Sequence, residues 1–252
     1  RVSCPDNSGG NAVRMGRTRY PEIVGVLAGD LADSRPGDRI PSEHEIAARF
    51  GVSRAAARAA VQELEDRLLV RRVRGSGTFV NNRIDYVISP HRAPSWHQTV
   101  EAAGAVPRAV VRESRAGTLA GELAARLECP EGTPARVLTR QYFINDLVAG
   151  WTTEWLPADV CPPGADVAVR AVESVDLVLR QMAKVEPVRA WCRISMEIPP
   201  PEVAAGLETD DSRHAWLVES MSRDAKTGRP VLASRAWTRV EMVRMIVEMG
   251  EP

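Results

Sequence analysis

Apolar residues recur at helical spacing near the start of the chain. The spacing predicts one amphipathic helix that ends before Pro36-Gly37-Asp38, with an apolar face of Tyr20, Ile23, Val24, Leu27 and Leu31. Ser42, followed three residues later by Glu45, has the form of a capping box and predicts a short helix to about Phe50. After a tight turn, Ser53 is placed to cap a longer helix that runs to about Arg67.

The longer helix has two different faces. Arg54 and Arg58 are four residues apart and share a face, while the apolar stripe consists of Ala57, Ala60, Val61, Leu64 and Leu68. Residues 69–73 and 78–80 then read as two strands joined by a basic turn, Arg74 to Gly77. A short helix, a turn, a longer helix with cations at its start and a hairpin predict a winged helix-turn-helix over residues 18–82.

The rest of the chain alternates in the manner of strands. Residues 1–17 are poor in apolar side chains and predict a disordered tail, and residues 83–92 predict a linker. We expect helices at 119–127 and 174–184 and strands at 106–115, 135–143, 147–156, 188–198, 214–223 and 230–247. Residues 93–252 are therefore expected to form an antiparallel α+β domain with one covered sheet face and an apolar last strand that offers a dimer surface.

In the strand at 188–198, the even-numbered residues, which are mostly apolar, are expected on one face and the odd-numbered ones, including Arg189 and Trp191, on the other.

The charge is divided unevenly between these two parts. The whole chain has 33 basic and 33 acidic residues. Residues 1–83 hold 14 basic and 10 acidic residues, a net charge of +4, which leaves −4 for the remainder. Arg67 to Arg83 includes five arginines and no acid. The basic first part suits a nucleic-acid partner although the sum over the chain is zero.

Several other functions receive no support from the composition. The sequence has no apolar run of the roughly 18–20 residues that a membrane span requires, and no signal peptide is recognisable. The four cysteines are widely spaced without a histidine partner, which suggests reduced thiols in a cytoplasm and predicts neither a metal site nor another cofactor.

The run from Tyr20 to Val80 resembles the winged helix-turn-helix of GntR-family bacterial transcription regulators. The matching elements are PGDRIPSE, the helix that begins at GVSR, and the wing RGSGTFV. Arg54 is placed to bind guanine O6 and N7, and Arg58 to contact a base edge or a phosphate. Ser42, Ser53, Arg71 and Arg72 are expected on phosphates. The wing tip, Arg74 and Gly75, resembles the minor-groove element of the family.

Three positions depart from the family pattern. Ala55 and Ala56 stand where a Thr and a β-branched residue are common, so Ala55 can touch a thymine methyl but donates no hydrogen bond. His44 stands where many members have Arg, and it is equally compatible with a DNA contact and with a surface histidine without function.

Residues 93–240 resemble the effector-binding UTRA domain of the HutC subfamily, whose fold is similar to chorismate lyase. The matching segments are SWHQTVEAAGAVPRAVV, LECPEGTPARVLTRQYF with EWLPADV, and GRPVLASRAWTR. The resemblance implies an effector site whose phosphate-binding segment corresponds to Ser95, Trp96 and His97. The other expected site residues are Arg140, Thr152, Glu154, Ser174, Asp176 and Thr238.

The departures in this domain bear on the effector. Thr152, Leu232 and Thr238 replace polar sugar ligands of the family, which favours a more apolar and anionic effector with Arg140 as its clamp. The alternative for Arg140 is a surface arginine on a strand. All six tryptophans lie after residue 95. Core packing accounts for each of them singly, but indole rings also suit the walls of a ligand site.

The sequence therefore predicts a non-enzymatic, homodimeric repressor that binds an inverted-repeat DNA operator and is released by a small-molecule effector. Two alternatives stay open: a chorismate-lyase-like enzyme, and a DNA-binding repressor without an effector.

Overall fold

A computed structural model describes residues 20–73, 75–89, 95–210 and 212–248 of the chain. The predicted tail at 1–17, Arg74 of the wing and residues 90–92 of the predicted linker lie outside the described residues. The chain divides into two compact units, residues 1–81 and 82–252, which are described separately.

The first unit contains the predicted three helices and hairpin. Their bounds are α1 Tyr20–Ala32, α2 Glu43–Phe50, α3 Arg54–Asp66, β1 Val70–Val73 and β2 Gly77–Val80. The core includes Ile23, Val24, Ala57 and Leu64 from the two predicted apolar faces, joined by side chains such as Ile46 on α2 and Val70 on β1. Tyr20 of the predicted face is exposed. The two strands pair antiparallel, with Val70 opposite Val80, and form the predicted wing.

The second unit is built around a sheet. Its elements are β3 Ile84–Ile88, α4 Trp96–Ala102, β4 Pro107–Leu119, α5 Gly121–Arg126, β5 Thr133–Ile144, β6 Leu147–Pro157, α6 Ala165–Val172, α7 Val175–Val178, β7 Pro187–Glu197, α8 Pro201–Gly206, β8 Ala215–Asp224, β9 Pro230–Arg239 and β10 Val243–Val247. Six strands form one antiparallel sheet in the order β4-β5-β6-β9-β8-β7.

The predicted last strand at 230–247 is wrong as a single element. It divides into β9, which lies inside the sheet between β6 and β8, and β10, which leaves the sheet after a turn at Arg239–Met242. β9 has a hydrogen-bonded neighbour on each side. The dimer surface expected of this segment stays a prediction.

The predicted linker also contains regular structure. Ile84–Ile88 forms β3, which pairs parallel with β10, so that Ile84 lies opposite Val243 and Tyr86 opposite Met245. Ile84 and Val243 are buried in a cluster with Val100 and Ile144. This part of the linker therefore belongs to the second unit.

Helices cover both faces of the sheet, contrary to the expected single covered face. One apolar cluster joins α6 and α7 to Leu138, Leu156 and Leu232. On the opposite face, the cluster around α5 contains Ala135, Met221 and Ala233, and α8 packs on Leu217 and Trp237. The predicted helix at 174–184 is present as α7, which continues directly as a π-helical segment, Leu179–Ala183.

Candidate functional site

The two helix starts in the first unit are capped as the sequence predicts. The Ser42 hydroxyl accepts a hydrogen bond from the Glu45 N–H (3.3 Å), and the Glu45 carboxylate accepts one from the Ser42 N–H (2.7 Å), which completes the capping box. Hydrogen bonds from Ser42 lower the pKa of Glu45. The Ser53 hydroxyl accepts from the Ala56 N–H (3.2 Å) and begins α3. Both hydroxyls thus have a structural role whether or not they contact phosphate.

The start of α3 presents cations to solvent. Arg54, Ala55 and Arg58 are exposed, and so is His44 on α2. Within the described residues, neither Arg54 nor Arg58 has a hydrogen bond or ion pair, and α3 has no acidic residue in its first turn. Because the positive end of the helix dipole disfavours cations, this arrangement suits an anion supplied from outside the chain.

The wing arginines differ from those of α3. Arg71 lies over the Phe79 ring, 6.0 Å from its centroid. Arg72 is 3.2 Å from the Glu65 carboxylate and 3.7 Å from Glu43. A phosphate would therefore compete with two acids for Arg72. Gly75 is exposed with φ +77°, as a tight wing turn requires.

Arg39 is a wing residue that the sequence analysis missed. It bridges to Phe79 of β2, and its Nε would lie 2.9 Å from a Cβ at Gly77. Gly77 also has φ +124°, so a side chain there is both strained and crowded. The motifs PGDRIPSE and RGSGTFV contain this pair, but only the fold shows that the two motifs touch.

In the second unit, all nine residues predicted for the effector site line one cavity. They are Ser95, Trp96, His97, Arg140, Thr152, Glu154, Ser174, Asp176 and Thr238. The cavity leaves about 100 Å³ in which the centre of a water-sized sphere can move. Since one water occupies roughly 10–15 Å³ on this measure, the space suits a compact metabolite.

Strand register explains why the floor residues meet. Arg140 lies opposite Thr152, which lies opposite Ala236. One row further along, Glu154 pairs with Ser234 and Ser234 with Ser220. Because side chains alternate along a strand, residues two apart on these strands point to the same face. Thr152 and Glu154 are two apart on β6 and therefore share a face, and both line the cavity.

Arg140 and Glu154 form a buried ion pair on this floor. Arg140 Nε and Nη2 donate to the two Glu154 oxygens at 2.7 and 2.6 Å, and the two side chains are only 5% and 6% exposed. Arg140 Nη1 also donates to the Glu173 carbonyl (3.2 Å). Burial alone lowers the pKa of Arg140, but the charge of Glu154 outweighs it and raises that pKa. The alternative of a surface strand arginine is therefore wrong.

The rim of the cavity consists of two helix starts. Ser95 caps α4 by accepting from the Gln98 N–H (3.3 Å), and Ser174 caps α7 by accepting from the Leu177 N–H (3.2 Å). His97 Nε2 lies 3.5 Å from the Glu173 carboxylate, which accepts a hydrogen bond from the Ala109 N–H (2.5 Å). Polar contacts therefore connect α4, Glu173 and the start of β4 at the rim.

One wall of the cavity is aromatic. Trp96 lies between Tyr86 and Tyr142, with ring centroids 6.4 and 5.1 Å away. Burial raises the pKa of the Tyr142 phenol. Among the described lining residues Trp96 is the one tryptophan. The other five pack elsewhere: Trp151 and Trp237 on α8, Trp155 and Trp191 near α5, while Trp216 donates to the Val243 carbonyl (3.2 Å). Lining the cavity is therefore not the general role of the tryptophans.

Further lining residues were not expected from the sequence, among them Tyr86, Tyr142, Glu173, Arg189, Ser220, Ser222 and Ser234. The two-residue period from Arg140 could have indicated Tyr142. Tyr86 lay in the supposed linker. Arg189 was hidden by an irregularity between Arg189 and Trp191, which puts Arg189 opposite Ser222 and Trp191 opposite Met221. The two side chains therefore point to opposite faces, and the predicted regular alternation along this strand is wrong.

Among the described residues, no group of three or more His, Cys, Asp or Glu side chains is placed to hold a metal ion. No described helix is long and apolar enough to cross a membrane.

A winged helix-turn-helix followed by a sheet domain whose cavity has both charged and aromatic side chains defines a class of DNA-binding regulators that sense small molecules. Residues 26–80 match the bacterial regulatory proteins of the gntR family, and residues 102–244, more than half of the chain, match the UTRA domain. The chain belongs to the GntR-family transcription regulators with a UTRA effector-binding domain.

Individual relatives agree with this membership. The HTH-type transcriptional regulator GgaR of Escherichia coli strain K12 is 26% identical over 212 residues, which cover 84% of this chain and 82% of that protein. The histidine utilization repressor of Klebsiella aerogenes is 54% identical over 46 residues, 18% of this chain and 19% of that one. The crystal structure of PhnF from Mycobacterium smegmatis has a TM-score of 0.62 at 25% identity and covers 91% of this chain and 100% of its own.

Proposed function

We propose that this regulator is a homodimeric repressor whose two heads bind an inverted repeat and whose release from DNA is driven by a small molecule in the cavity. The observation that carries the proposal is the cavity itself, which gathers the nine expected residues of the UTRA domain in one place. Repression is supported by the name of the Klebsiella aerogenes relative.

The exposed cations at the start of α3 support operator binding. Arg54 and Arg58 have the exposure that contact with base edges and phosphates requires. A single head of this size contacts few base pairs, so specific binding is expected to require two heads on related half-sites.

The position of β3 along the chain supports coupling. Tyr86 lines the cavity, and its strand begins three residues after the end of the first unit. A ligand that moves Tyr86 can therefore alter the start of the second unit. A coupling free energy of about 1–3 kcal/mol is ordinary for such a system.

The test begins with selection of duplexes from a random library by the purified full chain. We expect the enriched sequences to contain an inverted repeat, and light scattering to give the mass of a dimer. A metabolite panel is then screened by thermal unfolding, and each compound that raises the Tm is added to the protein–operator complex in a mobility-shift assay. Release of the operator by such a compound supports the proposal.

Three results would contradict specific parts of it. Enrichment of sequences without symmetry, together with the mass of a monomer, would contradict the proposed homodimer. Tighter operator binding in the presence of the compound would make the effector a co-repressor. A panel that neither stabilises the protein nor changes operator binding would favour a repressor without an effector.

A further inference from the structure

The positive charge of Arg140 is already neutralised within the protein. An arginine has five N–H groups, and three of those of Arg140 donate to Glu154 and to the Glu173 carbonyl. An anion placed against Arg140 would also face the buried carboxylate of Glu154. Arg140 is therefore poorly suited to be the clamp of an anionic effector.

The charged side chains of the described lining balance once the ion-pair partner of Asp176 is included. Its arginines are Arg140 and Arg189, and its carboxylates are those of Glu154, Glu173 and Asp176. These five side chains sum to one negative charge, and Arg180, which pairs with Asp176 at 2.9 Å from outside the lining, brings the sum to zero. A ligand that is only anionic would add a charge without a counterion to this balanced site, which is unfavourable.

Two atoms of the lining residues have unused hydrogen-bonding capacity. Asp176 Oδ1 and Arg189 Nε are buried and have no hydrogen-bond partner among the described residues. Buried polar atoms without a partner are costly and call for an explanation such as a ligand. One of these atoms accepts hydrogen bonds and the other donates them, so a matching ligand must offer a donor and an acceptor together.

The remaining atoms of both side chains are anchored. Arg180 donates from Nε to Asp176 Oδ2 (2.9 Å) and from Nη2 to the Pro187 carbonyl (3.2 Å), so that a single side chain joins α7 to the start of β7. Arg189, two residues further along that strand, donates from Nη2 to the Tyr86 hydroxyl (3.2 Å). These contacts hold Asp176 and Arg189, whose charges are opposite, on two segments that Arg180 connects.

We propose that the effector is a small zwitterion of the amino-acid type, whose ammonium group binds Asp176 and whose carboxylate binds Arg189. This inference rests on the proposed function, since it specifies the effector of the same cavity. A zwitterion adds no net charge to the site and supplies both the missing donor and the missing acceptor. The free space, equivalent to about seven to ten waters, accommodates a compact amino acid.

The test compares matched ligands on the full chain. The probes are the twenty standard α-amino acids, the corresponding amines without the carboxylate, the corresponding acids without the amino group, and inorganic phosphate. Thermal unfolding identifies binders, and calorimetric titration measures their Kd. We expect at least one amino acid to bind, and its amine and its acid each to bind at least about tenfold more weakly, because each loses a hydrogen bond between charged groups.

Charge-removing variants test the two contacts separately. Asp176→Asn is expected to weaken binding of the amino acid at least about tenfold and to affect binding of the matched acid less. Arg189→Gln is expected to weaken binding of the amino acid at least about tenfold and to affect binding of the matched amine less. The matched controls are Asp146→Asn, in the exposed turn after β5, and Arg193→Gln, on the same strand as Arg189 but outside the lining. Both controls should leave the Kd unchanged.

The outcomes separate this inference from the proposed function. If no amino acid binds, or if phosphate or a matched acid binds as tightly as the amino acid, the zwitterion is wrong. Operator release by a compound of another class would then leave the proposed function intact. If no compound of any class binds, the proposed function fails as well.

Discussion

Arg54 and Arg58 in the DNA-binding unit are exposed and have no ion pair among the described residues, whereas Arg140 in the effector-binding unit is buried against Glu154. Arg54 and Arg58 stand at the positive end of α3, and no described carboxylate compensates their charges. The third is compensated by a carboxylate at 2.6 Å. Arginine side chains are therefore in opposite electrostatic situations in the two units.

The difference shows that the number of arginines does not by itself indicate an anion site. An exposed guanidinium without a partner can exchange solvent counterions for phosphates. A buried guanidinium needs its own partner before any ligand arrives, since an isolated buried charge is too costly. The predictions below test this contrast, from the largest expected effect to the smallest.

Glu154→Gln should destabilise the second unit by about 3–5 kcal/mol, because it leaves the buried charge of Arg140 without a counterion. All six tryptophans belong to this unit, so their fluorescence during urea unfolding reports on it directly. Glu202→Gln, an exposed change on α8, is the control and should have little effect. A loss below about 1 kcal/mol would mean that the buried pair contributes no more than a surface pair.

Arg54→Ala should remove about 1–3 kcal/mol of the preference for the operator over unrelated DNA, without loss of stability. Mobility-shift titrations with both duplexes measure the preference. Arg67→Ala changes the other end of the same helix, where the side chain pairs with Glu63 at 2.8 Å, and serves as control. Unchanged operator affinity in Arg54→Ala would contradict the assignment of α3 as the recognition helix.

Arg72→Ala should weaken binding to all DNA sequences alike and reduce the slope of log affinity against log salt by about one or less. The effect is expected to be smaller than that of Arg54→Ala because Arg72 already pairs with Glu65 and Glu43. Titrations at several salt concentrations test this. A loss confined to the operator would instead make Arg72 a base-reading residue.

Asp85→Asn should have the smallest effect, confined to one pH range. The hydrogen bonds from Arg244 lower the pKa of Asp85, so the pair stabilises the fold above the ordinary value of about 3.9 and loses this contribution as the pH falls below it. Because the pair is half exposed, we expect at most about 1 kcal/mol near neutral pH. Urea unfolding at about pH 7 and pH 3 should show a larger difference from the native chain at the higher pH.

The periodicity of the first unit was sufficient to predict its helices, caps and wing. Its helix starts are set by local signals, since the cap residues Ser42 and Ser53 act within three or four positions of themselves. In the second unit the same reasoning located most strands but not their ends. The break between β9 and β10 and the strand in the supposed linker depend on a pairing between residues about 160 positions apart, which no local pattern reveals.

The sequence by itself, through its motifs and its resemblance to a family, determined the two-unit organisation, the recognition helix and nine residues that prove to line one cavity. Only the tertiary structure decided what those residues do to one another. The neutralisation of Arg140 by Glu154 and the burial of Asp176 Oδ1 and Arg189 Nε arise from strand register, an irregularity in β7 and the contacts of Arg180. Charge compensation depends on distance in space, and a sequence gives only distance along the chain.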